Sequence, residues 1–178
     1  MISLNLVSTS ACADTLMTGI AALRAGLPTD VRGALERGEA SGNIDTEQYL
    51  AAELEFVRRH VYRGDRFPES LVRTIDNTNR SPAYPVMWGR NEFLLSGNLR
   101  YWDRRADLPG LRVSTLITCG RYDKFVRACS QELHKGIAGS ELAVFDESSH
   151  MSHLEETERF LAAVSTFLDR VETAIPPN

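Results

Sequence analysis

Asp123 and His150 are the two side chains of this sequence whose types and placement could do chemistry together. Each follows a short apolar run by a few residues: TLITCG leads to Asp123 and ELAVF leads to His150. A carboxylate bonded to one ring nitrogen fixes the tautomer of an imidazole and stabilises its charged form, which leaves the other nitrogen as a general base. Such a pair serves to activate a nucleophile, so Asp123 and His150 supply the acid and the base of a triad whose third member must be sought elsewhere.

The pair works only if the two runs lie side by side. Residues 113–118 are continuously apolar and β-branched, as a strand covered on both faces of a parallel sheet must be. Gly120 breaks the run, and Asp123 falls in the loop at its carboxyl end. Residues 130–137 read as a crossover helix, residues 141–145 as the next strand, and residues 153–168 as an amphipathic helix after the acidic, serine-rich turn that carries His150. That βαβα succession predicts parallel neighbouring strands and a right-handed crossover, so both loops emerge at the sheet edge where ligands collect.

The chain before this unit is mostly helical. Residues 2–7 form a short strand running into Ser8, Thr9 and Ser10, and a helix from Asp14 ends at Gly26 and Pro28. Thr29 or Asp30 caps a second helix through about Arg37, and residues 38–43 read as a polar, glycine-bearing linker. Thr46 opens a long helix with apolar positions at Tyr49, Leu50, Leu54, Phe56, Val57 and Val61, ended by Gly64 and Pro68. Leu71, Val72 and Ile75 mark a short helix, and residues 77–85 a loop. The segment PVMWGRNEFLLSGNLRYWD has no clean period, and its aromatic residues fit a lid surface over a pocket. The tail beyond Arg170 should fray.

Composition narrows the function classes. The 178 residues carry a net charge of −4, and arginines such as Arg58, Arg59, Arg63 and Arg66 form no basic stripe, so nucleic acid is not an expected partner. No apolar run is long enough to span a bilayer and no basic leader precedes one, so no membrane partner is expected and the reading is cytoplasmic. Cys12, Cys119 and Cys129, an odd number without CxxC spacing, read as buried or free thiols rather than a disulfide framework or a zinc site.

The segments MWGRNEFLLSGNLRYWD, TLITCGRYD and FDESSHMSHLEE together resemble the second half of the proline iminopeptidase group of α/β-hydrolases, which includes amino-acid amidases and aminopeptidases. Acid followed by base is also the chain order that ends such a hydrolase. The resemblance implies a partial α/β-hydrolase fold: residues 1–13 and 106–178 as the C-terminal part of the core, few parallel strands flanked by helices, and residues 14–105 as an inserted helical cap. It implies Asp123 as triad acid, His150 as triad base, a small peptide or amino-acid amide as substrate, and neither cofactor nor metal. Glu92, in WGRNEF, becomes the candidate for holding a substrate ammonium. Trp88 and Phe93 are either cap packing or a hydrophobic substrate wall. The chain departs from the group at Arg90, Ser114 and Phe125-Val126-Arg127, where proline is usual.

No GxSxG occurs in the sequence; in GEASG the serine, Ser41, stands one place too late and lies in the linker. The group's nucleophile elbow and oxyanion loop would precede the strand at residues 2–7, so the expectation is a truncated or split gene product, inactive alone, with an unpaired edge on that first strand and a complementing N-terminal half as a partner. The alternative is a non-catalytic remnant that binds or interacts without chemistry. Glu53 and Glu55 read as a solvated helix face, and His153 as a polar helix start rather than a metal ligand.

Overall fold

The computed structural model describes residues 2–89, 91 and 94–173. Its centre is β2 (Ser114–Gly120), in which every residue after Ser114 is buried. A run such as TLITCG has no polar face to give to water, so it requires cover above and below and a strand on either side. It receives β1 (Ser3–Val7) on one edge and β3 (Glu141–Phe145) on the other, both parallel, in the order β1-β2-β3. The register sets Leu6 beside Ile117 and Ile117 beside Leu142. Among the described residues no strand pairs with the outer edge of β1, and Ile2 is exposed there.

Between β1 and β2 lie α1 (Ala13–Ala25), α2 (Thr29–Ser41), α3 (Glu47–His60), α4 (Glu69–Arg80), α5 (Ala83–Met87) and two 3-10 turns, Asn98–Tyr101 and Arg105–Gly110. Helix α6 (Arg127–Gly136) crosses from β2 to β3, and α7 (Ser152–Glu155) and α8 (Thr157–Thr173) follow. One apolar cluster joins Leu16 and Ile20 of α1, Leu35 of α2 and Tyr49, Ala52 and Phe56 of α3 to Cys129. A second joins Ile117 of β2 to Leu133, Ile137 and Leu108. Cys129 and Leu133 are one turn apart on α6, so this helix closes both clusters and fixes the first helices against the sheet. All three cysteines are buried and unbridged, and burial pushes the Cys129 thiol up to about 11, as befits a core residue.

Local differences from the sequence reading have identifiable causes. Helix α2 runs through the expected linker to Ser41 and stops at Gly42, whose φ is 70° and whose N–H returns to Glu39. Gly38 does not break the helix; a Cβ there would lie 2.4 Å from the Tyr49 ring, so glycine lets α2 and α3 approach. Neither Thr29 nor Asp30 caps α2, since Pro28 holds the N-cap position without a side-chain bond. Thr46 does cap α3, accepting from the Tyr49 amide at 3.2 Å. Helix α6 begins at Arg127, three residues earlier than expected, and the expected helix over residues 153–168 is interrupted at Glu156, with φ −128° and ψ 51°. The carboxylate of Glu156 turns back to the Ser148 hydroxyl and the Glu147 amide.

Candidate active site

Asp123 and His150 meet. His150 Nδ1 lies 2.9 Å from Asp123 Oδ1, at the carboxyl ends of adjacent parallel strands. A carboxylate only accepts when ionised, so Nδ1 carries the proton and Nε2 is left with its lone pair. The Asp123 side chain is fully buried and that of His150 is 17% exposed, which gives a sheltered acid beside a base open to a ligand.

The acid loop is built from backbone. Arg121 and Tyr122 extend the ladder past β2 by donating to the carbonyls of Phe145 and Ser148 at 2.8 and 3.0 Å. A Cβ on Gly120 would sit 2.1 Å from the Ser149 carbonyl, so only glycine lets the base loop lie against the end of β2. The Phe125 amide donates to Asp123 Oδ1 at 2.8 Å, the turn-forming bond for which aspartate is suited. Asp123 Oδ2 is buried without a hydrogen-bond partner, as are Thr118 Oγ1 and Ser130 Oγ.

Carboxylates, in contrast, anchor the base loop. Glu155 accepts from the Ser149 amide at 2.8 Å and from the Ser149 hydroxyl at 2.9 Å, and Glu156 accepts from Ser148 Oγ at 2.5 Å. Burial acts to raise the Glu156 pKa, but the bonds from Ser148, the Glu147 amide and Arg159 outweigh it and the net shift is downward. Ser8, just past β1, donates its hydroxyl to the His150 carbonyl at 3.1 Å. Its φ of 46° is the only positive value at a non-glycine position among the described residues.

Sequence reasoning missed Ser8, and it missed Phe125, whose ring stacks on the His150 imidazole at 5.2 Å and 16°. Phe125 belongs to the stretch Phe125-Val126-Arg127, whose lack of a proline was the one signal the sequence offered there. Trp88 meets Phe125 at 6.3 Å and Tyr84 at 6.4 Å, and the Phe125 ring in turn stacks on the imidazole. Glu92 and Phe93 lie outside the described residues.

A cavity of about 640 Å³ opens beside His150, walled by Leu50, Leu54 and Val57 of α3, by Leu71 and Ile75 of α4, and by Tyr84. Glu53 lines it too, whereas Glu55 pairs with Arg59 on the helix surface at 2.7 Å. An apolar wall with a few polar groups and a base at its edge suits a small organic ligand. His153 stays outside the cavity lining, with its pKa lowered by burial and then by His150. Among the described residues no group of three or more His, Cys, Asp or Glu is disposed to hold a metal ion, and no helix is long and apolar enough to cross a membrane.

The three-stranded parallel sheet with its crossover helix matches part of the α/β-hydrolase fold. A thermophilic esterase, at 23% identity, shares that fold at a TM-score of 0.57 over 96% of this chain and 57% of its own. The likeness is more particular to proline iminopeptidases. The crystal structure of the enzyme of that name from Mycobacterium smegmatis superposes with a TM-score of 0.91 at 33% identity, over 97% of this chain and 58% of that one. The structure of VinJ does so at 0.90, with the same identity and coverage. In sequence, the proline iminopeptidase of Saccharolobus solfataricus is 35% identical over 145 residues, 82% of this chain and 47% of that protein. That of Heyndrickxia coagulans is 32% identical over 82% of this chain and 50% of its own length. The chain therefore spans about half the length of the curated relatives it matches. No protein-family model matches it.

Proposed function

We propose that this chain carries the acid and base of a serine hydrolase of the prolyl aminopeptidase type, which removes an N-terminal proline or other small apolar residue, or cleaves an amino-acid amide. The observation that carries the reading is the 2.9 Å bond between His150 Nδ1 and Asp123 Oδ1 at adjacent strand ends, beside a cavity. Asp123 holds the imidazole, and His150 Nε2 takes the proton of a serine as that serine attacks the scissile carbonyl, then returns it to the leaving amine. The nucleophile comes from a segment outside these 178 residues, because no GxSxG lies within them. Residues 14–105 act as the cap over the substrate, Glu92 holds its ammonium, and Phe93 contributes to the apolar wall, whereas Trp88 is not among the residues that line the cavity and serves as cap packing against Phe125. The absence of GxSxG also favours a second reading, a binding module that keeps the cavity without the chemistry.

Grafting this chain in place of the matched 145 residues of the Saccharolobus solfataricus proline iminopeptidase tests the two. The chimera should hydrolyse prolyl 4-nitroanilide and lose that activity on His150→Ala, while the 178-residue chain alone should neither turn over the substrate nor take up a fluorophosphonate probe. A folded, probe-labelled chimera indifferent to His150→Ala would overturn the catalytic reading.

A further inference from the structure

The spacing of Asp123 and His150 is set by a third segment, the end of α3. Both peptide groups that flank Asp123 are bonded to one residue: the Tyr122 carbonyl to His60 Nδ1 at 2.9 Å, and the Lys124 amide to the His60 carbonyl, also at 2.9 Å. A carbonyl can only accept, so His60 Nδ1 bears the proton. Burial lowers the His60 pKa and keeps the ring neutral in that tautomer, and the ring packs on Phe56 one turn earlier at 4.8 Å. The next residues reach the base loop. Val61 accepts from the Met151 amide at 3.2 Å, and the Arg63 amide donates to Glu155 at 2.8 Å, the same carboxylate that binds Ser149. The Arg63 guanidinium lies 3.9 Å over the Tyr122 ring. Residues 60–63 thus hold both loops at once, 27 positions apart in sequence.

We propose that His60 is a positioning residue for the acid and base: by gripping both peptide groups around Asp123 while Val61 and Arg63 hold the base loop, it sets the geometry of the Asp123–His150 bond. The Asp123 carboxylate is met at Oδ1 by the Phe125 amide and by His150, so the bond to His150 depends on where the backbone of residues 122–125 holds it. His60 fixes that backbone from both sides of Asp123.

The proposal rests on reading Asp123 and His150 as acid and base, but its test reads their bond rather than turnover, so the two can fail separately. In the 178-residue chain the far-downfield proton of His150 Nδ1–H, identified by its loss in Asp123→Asn, should broaden or vanish in His60→Phe, which keeps a ring against Phe56 and has no donor. His60→Asn places an amide near the Nδ1 position and should restore the signal. A folded His60→Phe chain with that resonance unchanged overturns the proposal. The unaltered chain gives a reading that needs no variant: the Lys124 and Met151 amides should exchange roughly 100-fold more slowly than exposed loop amides, comparably to Ile117 and Cys119 in β2. Exchange of Lys124 at the rate of exposed loops would also overturn it.

Discussion

The loop that carries Asp123 and the loop that carries His150 end at the same place by different means. Backbone amides, a neutral imidazole and one turn-forming bond hold the first. Two carboxylates, Glu155 at the end of α7 and Glu156 between α7 and α8, bonded to buried serines, hold the second. A loop fixed by ionised side chains has stronger single bonds but depends on each of them, whereas a loop fixed by main chain spreads the load.

The largest effect that difference predicts is at Glu155. Glu155→Ala leaves the Ser149 amide, the Ser149 hydroxyl and the Arg63 amide without their acceptor, and Ser149 is fully buried. The expected cost is about 2–3 kcal/mol, read from urea unfolding. A loss no larger than that of an exposed control such as Glu47→Ala would break the contrast. On the acid side, Phe125→Leu keeps the amide bond to Asp123 and removes the ring stacked on His150, for an expected loss of about 1 kcal/mol and a shift of the His150 ring protons. Unchanged ring shifts would show that the stacking does nothing for the base.

Acidification gives the smallest and most discriminating effect. His60 titrates below its ordinary value of 6.5 because it is buried, so the unfolded chain binds more protons than the folded one in that range. Its contribution to stability is complete above pH 6.5 and is lost as pH falls through its lowered folded value. Glu156 is likewise shifted down, from 4.5, and its contribution is complete above that pH and lost only as pH falls through a lower folded value. Amide shifts of residues 122–124 should therefore move first on acidification, and those of residues 147–149 later. His153, lowered by burial as well, adds to the first window, so the acid-loop share is what His60→Asn removes. Movement of the residue 122–124 amides in the first window that His60→Asn leaves unchanged would contradict the division.

Much of this site is legible in the sequence because parallel strands leave a plain signature. TLITCG has no alternation, and glycine ends it where the chain must turn, so Asp123 and His150 could be placed at strand ends from composition alone. Contacts made by glycine and by distant backbone are not legible. Gly38 and Gly42 look alike in GEASG, yet one admits the Tyr49 ring and the other stops the helix. His60 reads as a basic residue in the last turn of a helix, and nothing near it announces that its partner is the Tyr122 carbonyl. Glu156 interrupts a helix that its neighbours would continue, because its carboxylate is claimed by Ser148 and Glu147.

Helix α3 presents apolar residues on more than one side: Ala52 and Phe56 are sealed in the core, while Leu50, Leu54 and Val57 wall the cavity. Its last residue and the few that follow grip the loops of Asp123 and His150. Variation is thereby partitioned along a single element. Exchanges at positions 50, 54 and 57 can reshape the volume offered to a ligand, while 52 and 56 keep the helix seated and 60–63 keep its grip. The shape of the cavity can therefore be altered on this scaffold without touching the residues that hold the Asp123 and His150 loops.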